Sequence, residues 1–302
     1  MTNRDDWTFG GAWSFEPRWF DSRDGRMHYV DEGPRDGRPV IMFHGNPTWS
    51  FLYRNFIPPL VEAGYRAIAF DHLGFGRSDK PNREELYSIA RHCQRAEALI
   101  ASLEVRDPTV VAQDWGGPIG LHWATRHADD VRSLFVLNTV AHRPRGRLPI
   151  PLLLHLFRMP VVGEVLVKGL DLFKRVYLFR LGVVHRQRLT GEVKRAYTQP
   201  HLSWSSRTPV LALPRQIPAR PEGPMADFFG EVEEGLKREF RSKPVDIAWA
   251  MNDLAFSPKI LDMWIETFPS AKVWRLEGAG HYLQEDAYER IVPALLDHLA
   301  RA

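Results

Sequence analysis

An aspartate follows directly on a short apolar run in the stretch VVAQDWGGPIGLHWA, residues 110–124. The run has the pattern of a buried strand, and Asp114 stands at its end. A small residue two places before a nucleophile and a glycine two places after it form a sharp strand-to-helix turn, and Ala112 and Gly116 take these places here. The stretch therefore predicts that Asp114 is a nucleophile. The alternative is that it caps the following helix, a common role for aspartate.

Two further residues of acid–base character follow apolar runs later in the chain. Asp253 lies in AMNDLAFSP and His281 in GAGHYLQED. Taken singly, the aspartate fits a turn and the histidine fits a surface or core position. Taken together with Asp114, they give the chain order nucleophile, acid, base, which is the order of the α/β-hydrolase triad. We therefore predict Asp114, Asp253 and His281 as the catalytic residues.

Hydrogen-bond donors are predicted beside the nucleophile. In FHGNPTWSFLYR, residues 43–54, a strand ends before a turn. The backbone N–H groups of Asn46 and Trp115 would form an oxyanion hole, although Asn46-Pro47 also fits a simple turn. Attack by a carboxylate on an sp³ carbon expels a leaving group, and a halide needs N–H donors. The indole of Trp115 is donor-only, and the Asn46 amide can supply a second N–H.

The elements that must position these residues alternate between strand and helix. Apolar runs at 39–43, 66–70, 109–113 and 132–138 read as strands, with amphipathic helices predicted at 50–64, 88–103 and 117–128. The alternation resumes with strands at 245–251 and 271–277 and helices at 257–268 and 287–300. The sequence thus predicts an α/β fold with a mostly parallel central sheet and helices on both faces, preceded by an antiparallel hairpin.

One segment interrupts this alternation. Residues 141–215 are rich in apolar residues and arginine, with helix-like stretches near 150–181 and 191–198. Because the segment falls between two strands of one sheet, we predict that it is an inserted helical cap, and that residues 1–140 and 216–302 form the core. Its apolar part is predicted to line a lipophilic pocket, or to dock a membrane or a partner enzyme.

Composition excludes several classes of protein. The 302 residues are 44% hydrophobic, and 40 basic residues nearly balance 37 acidic ones, which argues against nucleic acid as a partner. A single cysteine, Cys93, allows no internal disulfide. The N-terminus lacks the apolar region of a signal peptide and no run is long enough for a spanning helix, so we expect a cytoplasmic protein. Metal-ligand spacings and phosphate loops are not seen, so we expect neither metal nor cofactor.

The motifs HGNPTWSFLYR, FDHLGFGRSDKP, QDWGG, MNDLAF and GAGHYLQED resemble those of haloalkane dehalogenases of the α/β-hydrolase fold. An acid after the late strand, with asparagine and tryptophan as halide donors, resembles the third subfamily of these enzymes. That subfamily also includes β-lactone decarboxylases of olefin biosynthesis, to which the cap stretches KRAYTQPHLSW and LPRQIP are similar. Epoxide hydrolases share the Asp-Trp pair but use cap tyrosines, for which Tyr177 and Tyr197 are the candidates.

The resemblance implies an apolar small-molecule substrate. The first expectation is haloalkane dehalogenase activity, in which Asp114 displaces halide and water activated by His281 hydrolyses the alkyl ester to an alcohol. The alternatives are decarboxylation of a cis-β-lactone (3-alkyl-4-alkyloxetan-2-one) by the same aspartate, and epoxide hydrolysis. Halide ion is then a ligand, with Asn46 and Trp115 as its donors.

Overall fold

A computed structural model describes residues 6–146, 150–218 and 220–302. Its centre is an eight-stranded sheet in the order β1-β2-β4-β3-β5-β6-β7-β8. The pairs β1–β2 and β2–β4 are antiparallel, and every other pair is parallel. The strands are β1 (Arg18–Ser22), β2 (Gly25–Glu32), β3 (Pro39–Phe43), β4 (Arg66–Phe70), β5 (Thr109–Ala112), β6 (Ser133–Leu137), β7 (Val245–Ala250) and β8 (Lys272–Leu276).

The burial of each strand agrees with its position in the sheet. The five strands β3 to β7 are buried at every residue, as expected where helices cover both faces of a parallel sheet. The edge strand β8 is mostly half-buried or exposed. The predicted strands and the N-terminal hairpin are confirmed, and the α/β fold class with them.

Helices fill the connections between the strands. The predicted helices at 88–103, 117–128, 257–268 and 287–300 correspond to α2, α3, α8 and α10. The helices are α1 (Ile57–Glu62), α2 (Ile89–Ser102), α3 (Gly116–Arg126), α4 (Leu152–Arg158), α5 (Gly191–Thr198), α6 (Thr208–Arg215), α7 (Pro224–Glu239), α8 (Pro258–Thr267), α9 (Leu283–Asp286) and α10 (Tyr288–Arg301).

The single helix predicted over residues 50–64 is wrong. The chain forms a 3₁₀ turn at Ser50–Tyr53, and α1 begins separately at Ile57. Pro58 and Pro59 stand in the first turn of α1. Proline has no N–H to bond to a preceding turn and its ring crowds that turn, so a helix readily starts at such a pair but does not run through it.

The segment between β6 and β7 is helical and lies outside the sheet. It contains α4, α5 and α6 together with two π-helical stretches, Glu164–Gly169 and Phe173–Gly182. The helix-like stretches predicted near 150–181 correspond to α4 and these two π-helical stretches. Residues 147–149 of the predicted cap lie outside the described residues, and the boundaries of the cap stay a prediction. In the described ranges, no helix combines the length and apolar character needed to cross a bilayer.

Candidate active site

Five adjacent parallel strands each carry a polar residue just after their carboxyl end. In spatial order across the sheet, β3, β5, β6, β7 and β8 are followed by Asn46, Asp114, Asn138, Asp253 and His281. Ligands of open α/β sheets bind beyond the carboxyl ends of the strands. The fold therefore brings the four strands that precede the predicted site residues to one edge of the sheet, and it adds Asn138, which follows β6.

Asp114 occupies a strained turn. Its φ of +50° lies in the left-handed region that non-glycine residues seldom adopt. The turn is held by its backbone, since the Asp114 N–H donates to the Asn138 carbonyl at 3.0 Å and the Thr139 hydroxyl donates to the Asp114 carbonyl at 2.6 Å. Only glycine fits at position 45, because a Cβ there would come within 2.1 Å of the Asp114 carboxylate. Strain of this kind concentrates at functional sites.

The helix-cap alternative for Asp114 does not match the geometry. The N-cap of α3 is Trp115, and no side-chain hydrogen bond caps this helix. The Asp114 carboxylate instead faces the loop after β3, where its Oδ1 accepts from the backbone N–H of Asn46 at 2.6 Å. The Asp114 carboxylate therefore points towards the loop that carries Asn46 and does not cap α3.

The two predicted leaving-group donors differ in what they already bind. The Trp115 side chain is 9% exposed, and among the described residues its indole N–H meets no acceptor. The Asn46 amide donates one N–H to the carbonyl of Val210 in α6 at 3.1 Å, and its Oδ1 has no partner in this part of the chain. The amide keeps a second N–H. The Tyr282 hydroxyl donates to the Asn46 carbonyl at 3.1 Å and so helps to fix this loop.

His281 lies between the two carboxylates. Its Nδ1 is 3.0 Å from Asp253 Oδ2, and its Nε2 is 3.5 Å from Asp114 Oδ2. Burial by itself would lower the pKa of His281, but the charge of Asp253 and the hydrogen bond to Asp114 outweigh it and raise the pKa to about 10. With Asp114 ionised, the imidazole is therefore held as a cation at neutral pH.

Asp253 is held by a complete set of donors, one of which the sequence analysis did not find. Its Oδ1 accepts from the N–H groups of Ala255 and Phe256 at 2.7 and 3.1 Å. Its Oδ2 accepts from Nδ2 of Asn138 at 2.9 Å, next to the contact with His281. Asn138 ends the run RSLFVLN. The rule that selected the residues after the other strands would have selected it as well.

Aromatic rings enclose the imidazole of His281. The ring centres of Tyr177, Phe256 and Tyr282 lie 5.7, 5.4 and 4.6 Å from the imidazole. Tyr177 comes from the π-helical stretch of the cap. Its hydroxyl has no hydrogen-bond partner among the described residues, and burial together with Asp253 and Asp114 raises the pKa of Tyr177 far above its usual value.

The second candidate tyrosine of the cap is occupied elsewhere. The hydroxyl of Tyr197 in α5 donates to Glu285 Oε1 at 2.5 Å, and Glu285 also forms a two-pronged ion pair with Arg54 at 2.5 and 2.7 Å. All three side chains are largely buried. This network connects α5 of the cap to α9, the short helix after His281, and it does not present Tyr197 to Asp114 as one of a pair of tyrosines.

Nothing in the described residues suggests a metal centre. Residues 6–146, 150–218 and 220–302 contain no group of three or more His, Cys, Asp or Glu side chains that could hold a metal ion. The groups that the described site offers for chemistry are the carboxylate of Asp114, the imidazole of His281 and the N–H donors around them.

Comparison with known proteins places these features in context. Residues 38–288 match the family described as alpha/beta hydrolase fold. The chain is 36% identical to the cis-3-alkyl-4-alkyloxetan-2-one decarboxylase of Shewanella oneidensis, over 91% of this chain and 86% of that protein. It is 35% identical to haloalkane dehalogenase 2 of Mycobacterium tuberculosis, over 94% of each. Among solved structures, haloalkane dehalogenase DbeA from Bradyrhizobium elkani matches with a TM-score of 0.83 and 26% identity, over 96% of this chain and 100% of that one.

Proposed function

The chain belongs to the alpha/beta hydrolase family and is a hydrolase-class enzyme; from this premise we propose that it hydrolyses carbon–halogen bonds through an ester on Asp114. The observation that carries the proposal is the placing of His281, with Nδ1 on Asp253 at 3.0 Å and Nε2 at 3.5 Å from the Asp114 carboxylate. A histidine so held can deliver water to an ester formed on that carboxylate.

In the first step, a carboxylate oxygen of Asp114 attacks the carbon that bears the halogen. The carbon–oxygen bond forms as the carbon–halogen bond breaks, and the halide leaves with the bonding pair. The free indole N–H of Trp115 and the second amide N–H of Asn46 are the donors available to the departing halide. Both belong to residues with little exposure, so few waters compete with them.

In the second step, water attacks the carbonyl carbon of the ester. The backbone N–H of Asn46, already 2.6 Å from Asp114 Oδ1, supports the developing oxyanion there, and the N–H of Trp115 is the second proposed donor. Esterification removes the negative charge of Asp114, one of the groups that raise the pKa of His281. The imidazole then gives up its proton more readily and can take one from water, while Asp253 stabilises the resulting cation.

A second candidate, cis-β-lactone decarboxylation, is favoured by the relatives. Decarboxylases of this type from Shewanella oneidensis and Xanthomonas campestris are 36% and 33% identical over 91% and 96% of this chain. Attack of Asp114 on the sp³ ring carbon that is bonded to the ring oxygen would break that carbon–oxygen bond and open the lactone to a carboxylate. Loss of carbon dioxide from that carboxylate would then form the alkene and release the Asp114 carboxylate. This sequence consumes no water, so it differs from the dehalogenase reaction in not requiring His281 to activate water.

Epoxide hydrolysis has the weakest support of the three alternatives. It calls for a pair of cap tyrosines to donate to the epoxide oxygen. Here the hydroxyl of Tyr197 is bonded to Glu285, and only the hydroxyl of Tyr177 is without a partner in the described residues.

Parallel assays of the two leading reactions test the proposal. We expect purified protein to release halide from 1-bromobutane, and Asp114→Ala to abolish this release while retaining a native circular dichroism spectrum. Alkene release from a cis-β-lactone, measured on the same preparation, tests the second candidate. Alkene formation without halide release would reject the dehalogenase proposal, and activity retained by Asp114→Ala would reject Asp114 as the nucleophile in either reaction.

A further inference from the structure

The cap exposes an unusual share of apolar side chains. Of the twelve large apolar side chains that are exposed in the described residues, ten lie between residues 152 and 204. Val161, Leu170 and Trp204 are 73%, 53% and 49% exposed. Single exposed apolar residues are normal, but a contiguous group marks an interaction surface.

Backbone and side-chain contacts show that several of these residues are neighbours. Hydrogen bonds connect Met159 to Gly163, Val161 to Val165 and Val165 to Leu170, at 2.9 to 3.0 Å. The ring of Trp204 lies against the same stretch, since a Cβ atom placed on Gly169 would be 3.4 Å from it. We refer to Met159, Val161, Val165, Leu170 and Trp204 as the cap apolar surface.

One residue of this surface combines an unfavourable backbone conformation with an exposed side chain. Val161 has a φ of +59°, in the left-handed region that β-branched residues avoid. Its side chain is largely exposed, so burial in the protein does not compensate the strain. An observed outlier of this kind points to a role outside the folding of the chain itself.

Basic residues are concentrated in the same segment of the chain as the exposed apolar ones. Residues 150–207 contain ten lysines and arginines but only three acidic residues, whereas the whole chain is nearly balanced. Lys168 lies over the ring of Trp204 at 5.2 Å. Arg175, Arg180 and Arg186 are exposed, and no acidic side chain pairs with them within the described residues. This pattern of apolar and tryptophan side chains next to unpaired cations is typical of proteins that lie in a membrane interface.

The charge also argues against a second copy of the chain as the occupant. A symmetric dimer formed through this surface would bring the same basic residues of both copies together, and like charges would oppose the contact. An anionic lipid surface attracts the arginines and accepts the apolar side chains at the boundary between headgroups and acyl chains. The charge of the described part of the surface is therefore more compatible with an anionic lipid bilayer than with a second copy of the chain.

We propose that the cap apolar surface docks the protein on anionic lipid bilayers. Met159, Val161, Val165, Leu170 and Trp204 enter the interface, and Arg175, Arg180 and Arg186 contact lipid phosphates. The same π-helical stretch that carries Arg175 and Arg180 also carries Tyr177, whose ring lies against His281. On the proposed function, docking would bring the site close to a reservoir of lipophilic substrate, but the docking itself does not depend on which reaction the site performs.

Sedimentation with vesicles of stated composition tests the proposal. We expect the full-length protein to bind vesicles that contain phosphatidylglycerol and to bind vesicles of phosphatidylcholine alone much more weakly, with binding reduced by added salt. Leu170→Glu should abolish most of the binding. Arg175→Glu should lower the partition coefficient by more than about fivefold, because each basic residue near an anionic surface contributes roughly that factor.

Matched variants outside the surface supply the controls. Leu254→Glu changes another exposed leucine and Arg106→Glu another exposed arginine, and both should bind like the wild type. Equal binding by Leu170→Glu and Leu254→Glu would overturn the proposal. If the wild type instead fails to bind vesicles and forms an oligomer that Leu170→Glu dissociates, as seen by light scattering, the occupant is a second copy and the proposal is wrong. Halide release is measured separately, so its failure would leave these results unaffected.

Discussion

At the scale of single residues, the proposed reaction has two steps, formation of an ester on Asp114 and hydrolysis of that ester, and they use different side chains. In this proposal Asp114 and the side-chain N–H donors of Asn46 and Trp115 act in the first step. His281 and Asp253 act only in the second, together with the backbone N–H groups of Asn46 and Trp115. Their geometry reflects this division, because the imidazole is fixed by Asp253 on one side and reaches the nucleophile only with Nε2, at 3.5 Å. Substitutions on the two sides should therefore stop the reaction at different points.

We expect His281→Phe to form the ester once and then stop. Phenylalanine keeps a ring among Tyr177, Phe256 and Tyr282 but cannot activate water. After treatment with 1-bromobutane, intact-mass analysis should show protein heavier by one alkyl group, located on the peptide that contains Asp114. In the wild type, a single turnover in oxygen-18 water should label the Asp114 carboxylate. Wild-type turnover by the variant, without a trapped adduct, would contradict the covalent mechanism.

The indole donor should matter for the first step alone. Trp115→Phe removes the N–H and keeps most of the ring, and loss of one such donor costs on the order of 10² to 10³ in rate, about 3–4 kcal/mol. Single-turnover ester formation on the His281→Phe background measures this step directly. Trp123→Phe, another tryptophan of α3 with a buried side chain, is the control and should react at the parent rate. Equal rates for the two variants would exclude Trp115 as a halide donor.

At the scale of elements, the site is a row of strand ends, and Asn138 connects two of them. This residue follows β6, and its amide bonds to both backbone groups of Ala250 at the end of β7 as well as to Asp253. It thus aligns β7 with β6 where the acid of the triad emerges. On the proposed mechanism Asp253 acts through His281, so Asn138 would be a positioning residue for the second step.

Asn138→Ala is expected to slow hydrolysis of the ester more than its formation. The variant removes the hydrogen bonds from the Asn138 amide to both Ala250 backbone groups and to Asp253 Oδ2, which keeps its contact with His281. The free energy of unfolding should therefore fall by about 1–3 kcal/mol. Rapid-quench mass analysis should reveal accumulated alkyl-enzyme during steady-state turnover, which a purely structural loss would not produce. Asn252→Ala, which removes one hydrogen bond to the Gly278 N–H in the same region, provides the comparison. If both variants lose activity without accumulating ester, Asn138 has no specific role in positioning.

At the scale of the whole molecule, a group of buried histidines should make stability sensitive to acid. His44, His72 and His92 lie in contact, with ring centres 4.6 and 5.4 Å apart. Burial and the neighbouring histidines keep the pKa of His72 and of His92 well below 6.5. In the unfolded chain these residues bind protons below pH 6.5, and in the folded chain they do not. Folding stability must therefore decrease as the pH falls below that value.

We expect His92→Phe to weaken this dependence on pH. Neither ring nitrogen of His92 has a hydrogen-bond partner, so phenylalanine leaves no polar atom of its surroundings unpaired. Each such histidine contributes a slope of about 1.4 kcal/mol per pH unit below 6.5. Urea unfolding between pH 6.5 and 5 should show a shallower slope for the variant, whereas His155→Gln, at an exposed position, should leave the slope unchanged.

The contribution of His281 does not disturb this pH window. Its folded pKa of about 10 lies above the value of about 6.5 for an unfolded histidine, so its stabilising effect is complete below pH 6.5 and is lost as the pH rises towards 10. The acidic branch of the stability curve therefore reports on the buried neutral histidines. An identical acidic slope in His92→Phe and wild type would show that His92 is not the titrating group.

Local sequence patterns predicted the strands and most of the helices. A strand that is buried on both faces of the sheet appears in the sequence as a continuous apolar run. These patterns also located Asp114, Asp253 and His281, since each follows such a run. Three features required the folded chain: the break before Pro58, the order of the strands, and the network that joins Asn138 to Asp253. The last two depend on contacts between distant segments, as between Asn138 and Ala250, which are 112 residues apart.

The position of β8 has a consequence for biosynthesis. This strand lies at the edge of the sheet, pairs only with β7, and leads directly to His281 near the C-terminus of the chain. Proteins are made from the N-terminus, so the ribosome delivers Asn46, Asp114 and the whole cap before the histidine. On the proposed mechanism, a nascent or truncated chain that has folded this far could form the ester on Asp114 once. It would stay alkylated, because His281 is not in place to activate water. On the proposed mechanism, repeated turnover therefore begins only when β8 has joined the sheet and His281 has reached Asp253.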